Sequence, residues 1–154
     1  MNTCRLEHDA LVRAAVHCTP GYNVSGTVLI LCPRHCLVRK KGVGDLPKGE
    51  RYCCVDYVAL SSIAGTKLLQ IVFTYDIGCQ WSIYRVKRME DFPASMQINE
   101  RMKIEVGIPS WHINGHGPSC RSNFSLGYME GVGRTCGEEV ETSWAQTNAL
   151  GMST

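Results

Sequence analysis

Acidic side chains stand at two places where an α/β protein could hold metal ions. Asp76 follows the apolar run of residues 68–75, and Glu138, Glu139 and Glu141 open the predicted last helix. Converging carboxylates can hold a pair of divalent cations such as Mg²⁺, which orient a water or a 3′ hydroxyl for in-line attack on a phosphodiester. The alternatives are that Asp76 caps the following helix and that the glutamates favour the positive end of a helix dipole.

Cysteine and histidine form a second set of candidate metal ligands. Cys32 and His35 have Cys-x2-His spacing, and His112, His116 and Cys120 recur at every fourth position. Four such side chains could build a closed tetrahedral zinc site, although the spacing matches no standard zinc finger. The alternative is that the cysteines pack as small hydrophobes and the histidines are surface or capping residues.

Two groups of basic residues could contact nucleic-acid phosphates. One group surrounds the end of the first predicted strand, and the other decorates the helix after Trp81. The formal net charge of +2 is too small to indicate nucleic-acid binding by itself, so a solvated basic face is the alternative. The residues are Arg34, Arg39, Lys40, Lys41, Arg85, Lys87 and Arg88.

The composition is that of one globular domain over residues 1–154, with 44% hydrophobic and 19% charged residues. The nine cysteines are an odd number, and charged residues stand where a signal peptide would be apolar. We therefore expect an intracellular, reduced protein without a membrane segment. The chain contains no Gly-x-Ser-x-Gly elbow, Walker loop or Gly-x-Gly-x-x-Gly motif, which disfavours the enzyme classes that these motifs mark.

Apolar periodicity predicts alternating strands and helices, and therefore an α/β fold. The run at 68–75 is a buried strand, and Asp76 at its carboxyl end lies where α/β sheets place their chemistry. Residues 36–38 extend the first strand or begin its partner before a turn at 41–44. The predicted strands are 26–32, 68–75 and 104–108, and the predicted helices are 1–18, 50–63, 79–91 and 137–149.

Motifs along nearly the whole chain resemble those of the Kyakuja-Dileera-Zisupton transposases. The first four are C-x-R-H-C at 32–36, G-V-G-D-L-P-K-G-E-R-Y at 42–52, V-D-Y at 55–57 and Y-D-I-G-C-Q-W at 75–81. The later ones are I-P-S-W-H-x3-H-x3-C at 108–120, F-S-L at 124–126 and G-V-G-R-T-C-G-E-E-V-E-T-S-W-A at 131–145. So many motifs in one order are not expected by chance.

The resemblance implies a ribonuclease-H-like core with an Asp-Asp-Glu triad and two Mg²⁺ or Mn²⁺ ions that cut DNA and join the strands. Asp76 would be the second acid. Glu138 is preferred as the third acid, Glu141 is the alternative, and Glu139 ranks lowest because it replaces a glycine. The Cys and His motifs are likewise family features, which supports zinc binding by Cys32, His35, His112, His116 and Cys120.

The resemblance also predicts what this chain lacks. The first acid of the fold lies on a central strand that precedes Met1, so we expect an incomplete core with a mixed sheet whose first catalytic strand is missing. Cys136 stands where the family has Asp and Thr142 where it has Arg, which removes charges beside the third acid. These departures predict a truncated transposase remnant that is inactive alone. Unpaired strand edges predict marginal stability or association between copies of the chain.

A second function remains open from the sequence. It is a non-enzymatic module, stabilised by zinc, that binds DNA or a partner protein, and either function predicts a nuclear location. An unrelated cysteine-based hydrolase or redox protein is disfavoured because the chain has no Cys-x-x-Cys and no identifiable Cys/His dyad.

Overall fold

The computed structural model describes residues 16, 20–21 and 23–151, and the α/β class predicted from the sequence is confirmed. Apart from Val16, the helix predicted within residues 1–18 lies outside this part of the chain. The strands are β1 (Gly26–Cys32), β2 (Leu37–Leu46), β3 (Gln70–Thr74) and β4 (Lys103–Gly107). The helices are α1 (Tyr52–Ile63), α2 (Gly78–Trp81), α3 (Arg85–Glu90), α4 (Pro118–Phe124) and α5 (Glu139–Gly151). Short 3₁₀ turns cover Ala94–Met96, His112–Gly115 and Leu126–Tyr128.

The strands form two sheets rather than the single mixed sheet that we expected. Within the described residues, β1 pairs with β2 in an antiparallel hairpin, and β3 pairs with β4 in parallel. A cavity of about 330 Å³ is lined by β1 on one side and by the end of β3 on the other. An antiparallel and a parallel strand pair, as in a mixed sheet, are therefore both present. The cavity between β1 and β3 lies where the two pairs would have to join.

The turn expected at residues 41–44 is wrong, because β2 continues through this segment. Lys41 has a φ of 58°, and the pairing with β1 shifts register between Leu29 and Leu31. A Cβ added at Gly42 would lie 2.8 Å from the carbonyl oxygen of Ile30. Glycine is thus required by the close approach of two backbones at a β-bulge, and not by a chain reversal.

The helix predicted over residues 79–91 is divided into α2 and α3. Tyr84 between them has a φ of 55°, which interrupts the helical backbone. Ile83 is 39% exposed and Val86 69% exposed, whereas Trp81 and Met89 are buried. The apolar spacing that suggested one helix therefore belongs partly to side chains that face solvent.

Helix α1 packs against both sheets and holds their positions. Val55 and Ala59 of α1 form a buried cluster with Trp81, and the partly buried Val28 of β1 and Phe73 of β3 pack against it. Burying such side chains stabilises the fold by about 1.5 to 3 kcal/mol each. The shared cluster places the carboxyl end of β3, and therefore Asp76, beside the hairpin.

A buried ion pair joins α1 to α2 and α3. Asp56 of α1 has no exposed surface, and its carboxylate accepts hydrogen bonds from Trp81 Nε1 at 2.7 Å and Arg88 Nε at 2.6 Å. Arg88 also donates to the backbone oxygen of Trp81 at 2.7 Å. The carboxylate therefore has fixed donors on both oxygens.

Among the described residues, no helix is long and apolar enough to cross a membrane.

Candidate metal centre

Asp76 lies immediately beyond the carboxyl end of β3, as predicted. The backbone N–H of Tyr75 still bonds to Gly107 of the neighbouring strand at 3.1 Å, and the chain then turns. The N-cap of α2 is Ile77, and no side chain caps this helix. The alternative that Asp76 caps the helix is therefore wrong, and its carboxyl group, with the side chain 48% exposed, is directed to other partners.

His112 brings two acids together. It lies in the 3₁₀ turn after β4, with Nε2 3.4 Å from Asp76 Oδ2 and Nδ1 3.2 Å from Glu138 Oε2. Because β3 and β4 are parallel, their carboxyl ends meet at one edge of the sheet. A neutral imidazole has one N–H donor, whereas a protonated His112 donates to both carboxylates.

Glu138 is held in place by the backbone as well as by His112. Its Oε1 accepts a hydrogen bond from the Trp111 N–H at 2.7 Å. Gly137 before it has a φ of 80°, and an added Cβ would lie 3.3 Å from Thr74 of β3. Glycine therefore lets the chain enter α5 close to the end of β3, which places Glu138 beside Asp76.

Glu141 completes a group of three possible ligands. It lies in the first turn of α5, and its carboxylate lies within 4.8 Å of donor atoms of Asp76 and His112. Glu139 is one residue after Glu138, but its carboxylate accepts from Cys136 Sγ at 3.5 Å. The structure thus brings Asp76, Glu138 and Glu141 together, while Glu139 lies outside the group.

The electrostatics of the site favour a bound cation. Burial raises the pKa of Asp76, the nearby imidazole of His112 lowers it, and the carboxylates of Glu141, Glu138 and Glu50 raise it further, with a net increase. Like charges this close resist simultaneous ionisation unless a positive charge lies among them. A divalent cation would supply that charge.

Glu50 is a neighbour of the site that our sequence analysis missed. It precedes α1 and lines the same cavity as Asp76, and its carboxylate accepts a hydrogen bond from the Tyr75 hydroxyl. Burial and the Glu50 charge raise the pKa of Tyr75. Glu50 belongs to the G-E-R-Y motif of the family resemblance, which is the signal that could have identified it. No periodicity of the sequence relates Glu50 to Tyr75, which is 25 positions away.

The donor set limits the choice of ion. Carboxylate oxygens suit Mg²⁺ and Mn²⁺, and an imidazole nitrogen suits transition metals better than Mg²⁺. If His112 is a ligand together with Asp76 and Glu141, the group therefore fits Mn²⁺ better than Mg²⁺. Without His112, the remaining carboxylates form an all-oxygen set that fits either ion.

The five predicted zinc ligands lie in three different places. His112 lies between the acids, whereas His116 and Cys120 form a buried group with Cys79, which was not among the predicted ligands. Cys32 and His35 lie at the exposed end of the hairpin, with Sγ and Nδ1 3.3 Å apart. Among the described residues, neither belongs to a group of three possible ligands. Cys79 is part of the Y-D-I-G-C-Q-W motif, and that motif could have identified it as a candidate ligand.

Three of the seven predicted phosphate-binding residues have partners inside the protein. Arg39 donates to the backbone oxygen of Ser62 at 3.1 Å, and Arg85 donates to that of Ile104 at 3.2 Å. Arg88 pairs with Asp56. These three stabilise the fold through these contacts. The exposed members of the set are Arg34, Lys40, Lys41 and Lys87.

In open α/β sheets, ligands bind beyond the carboxyl ends of the strands, and the acids of this α/β protein gather at such a place. The family model described as Kyakuja-Dileera-Zisupton transposase matches residues 1–154, and the chain belongs to this family. The family predicted from the motifs is therefore confirmed. Comparisons with the curated proteins and with the solved structures find no match.

Proposed function

We propose that this chain supplies part of a ribonuclease-H-like core for metal-dependent cleavage and transfer of DNA strands, and that it binds the metal but is inactive alone. The observation that carries the proposal is the meeting of Asp76, His112 and Glu141 within 4.8 Å at the end of a strand. Membership of a transposase family supports DNA as the substrate. In this chemistry, bound cations lower the pKa of the attacking water and stabilise the leaving oxygen.

The two glutamates have different roles in this proposal. Glu141 is a direct metal ligand, because its carboxylate lies within 4.8 Å of the ligand atoms of the Asp76 carboxylate and the His112 imidazole. Glu138 is a positioning residue, because its two oxygens are engaged by Trp111 N–H and by His112. This assignment reverses our preference for Glu138 from the motif alone.

DNA binding at the acids would require a cation. A phosphate is repelled by bare carboxylates, whereas a metal ion, if held by Asp76 and Glu141, would supply the positive charge that attracts it. Exposed Arg34, Lys40 and Lys41 on the hairpin can add contacts that do not depend on DNA sequence. Binding should therefore depend on both Mn²⁺ and salt.

Direct titration of Mn²⁺ into the purified chain tests the proposal. We expect saturable binding, weakened by Asp76→Asn and by Glu141→Gln about tenfold or more, at least as much as by loss of an outer-shell partner of a metal site. Glu139→Gln is the matched control, since it makes the same change of charge in the same helix outside the ligand group. Unchanged Mn²⁺ affinity in Asp76→Asn would contradict the proposed site.

Fluorescence anisotropy with a DNA duplex then tests the link to the substrate. Mn²⁺ should strengthen DNA binding by the wild-type chain and by Glu139→Gln, but not by Asp76→Asn. DNA binding that is equally strong in all three proteins and independent of Mn²⁺ would instead support the second candidate, a zinc-stabilised module that binds DNA without cutting it. The buried group of Cys79, His116 and Cys120 favours that candidate.

A further inference from the structure

A second group of possible metal ligands is buried beside the acids. Cys79 of α2, His116 before α4 and Cys120 of α4 are 5%, 2% and 4% exposed. Their donor atoms all lie within 4.8 Å of one another. The group packs among Ile108 and Ile113, so it is shielded from solvent and distinct from the half-exposed acids.

The distance between Cys79 and His116 fits a tetrahedral zinc ion. Zinc bonds to sulfur at about 2.3 Å and to imidazole nitrogen at about 2.05 Å, so two such ligands at a tetrahedral angle are about 3.6 Å apart. Cys79 Sγ and His116 Nδ1 are 3.6 Å apart. Two thiolates also neutralise a divalent ion, which removes the large cost of burying a net charge.

We propose that Cys79, His116 and Cys120 bind one Zn²⁺ ion that fastens α2 to α4. The described residues supply three of the four ligands of a tetrahedral site. Soft thiolates with an imidazole select zinc over Mg²⁺, whereas the carboxylates nearby prefer the harder ions. The two groups would therefore hold different metals.

The zinc site also positions the candidate metal centre. Cys79 is three residues after Asp76, and His116 is four residues after His112. A zinc ion would fix the two segments that carry Asp76 and His112, whose side chains are 3.4 Å apart. This second part of the inference rests on the proposed function, whereas the binding of zinc does not.

Metal analysis of the full chain, purified under reducing conditions without chelator, tests zinc binding. We expect about one zinc per chain in the wild type and at least a tenfold loss in Cys79→Ser and Cys120→Ser. Cys32→Ser is the matched control, because Cys32 also lies beside a histidine but at the exposed hairpin end. Absence of zinc from the wild type, or its loss from Cys32→Ser alone, would overturn the proposal.

Cobalt substitution of the wild-type chain removes the dependence on variants that fail to fold. Co²⁺ bound by two thiolates and an imidazole gives thiolate-to-metal charge-transfer absorption and the strong visible bands of tetrahedral cobalt. Zn²⁺ should abolish these bands stoichiometrically. If cobalt gives only weak octahedral bands, the three side chains are a hydrogen-bonded part of the core and the proposal is wrong.

Mn²⁺ titration of zinc-loaded and zinc-stripped protein tests the positioning role. We expect stripping to weaken Mn²⁺ binding by about 10 to 100-fold, the range for loss of outer support to a metal site. Equal Mn²⁺ affinity in both forms would refute the positioning role and leave the zinc site in place. No Mn²⁺ binding by zinc-loaded protein would refute the proposed function and the positioning role together, while the zinc content still decides the zinc site.

Discussion

Asp56 and Asp76 are two aspartates of one core with opposite surroundings. Asp56 is wholly buried, and its oxygens accept from the guanidinium of Arg88 and the indole of Trp81. Asp76 is half exposed, faces one imidazole and has Glu138 and Glu141 close to it. The buried acid is paired with a cation, whereas most of the charged groups near the half-exposed acid are negative.

This difference separates an acid that stabilises the fold from one that is available for chemistry. The charge of Asp56 is balanced by a cation from the same chain, so a metal ion would gain little there. Burial raises the pKa of Asp76, His112 lowers it, and the repulsion from neighbouring carboxylates raises it further. A cation from solvent would relieve that repulsion, so an unfavourable arrangement in the free protein can favour metal binding.

The largest effect should follow from removing the buried acid. Asp56→Ala leaves Arg88 without its carboxylate partner and Trp81 Nε1 without an acceptor, and we expect a loss of about 3 to 5 kcal/mol in unfolding free energy. Urea denaturation followed by tryptophan fluorescence and circular dichroism measures it. If the variant is too unstable to purify, Arg88→Met offers a second way to break the pair.

The control for this prediction is Asp45→Ala. Asp45 lies exposed on β2, and such a surface change should alter the unfolding free energy by no more than about 0.5 kcal/mol. A loss of less than about 1 kcal/mol in Asp56→Ala would mean that the pair is not a structural anchor. Asp56 would then not differ from Asp76 as an acid that stabilises the fold.

A smaller effect is expected when Mn²⁺ is added to the folded chain. A ligand that binds only the native state stabilises it by about 2.7 kcal/mol at 100 times its dissociation constant. The midpoint of thermal unfolding should therefore rise with Mn²⁺ in the wild type and in Glu139→Gln, but not in Asp76→Asn. An equal rise in all three would place the ion elsewhere.

Local patterns predicted much of the fold. The strand at residues 26–32 has the predicted bounds, and helix α1 begins two residues later than expected and ends at the same Ile63. The bulge at Lys41 and the break at Tyr84 were missed because each depends on a residue with positive φ that no apolar pattern marks.

The acids of the candidate site were singled out by their places after a strand and at the start of a helix, and the family motifs ranked them. Asp76, Glu138 and Glu141 lie near one another in the structure. Cys79 and His116 are 37 positions apart, so their contact leaves no trace in local spacing. For the same reason His112 was grouped with His116 by its spacing, although its neighbours in space are acids.

The smallest effect concerns Asp76 itself without metal. Its pKa is raised in the native state above the ordinary value of 3.8, so the native protein binds that proton more tightly than the unfolded chain does. The stabilising proton is lost as the pH rises through the native pKa, and at pH 7 the ionised group costs stability. Asp76→Asn should therefore be slightly more stable than the wild type at pH 7.

We expect that gain to be below about 1 kcal/mol, because a half-exposed carboxylate is screened by solvent. It should vanish as the pH falls below 3.8, where both states hold the proton. Urea denaturation at pH 7 and at lower pH in the presence of chelator measures it, with the exposed Asp91→Asn as control. A loss of stability at pH 7 in Asp76→Asn would show that the contact with His112 outweighs burial and the like charges, and Asp76 would then resemble Asp56.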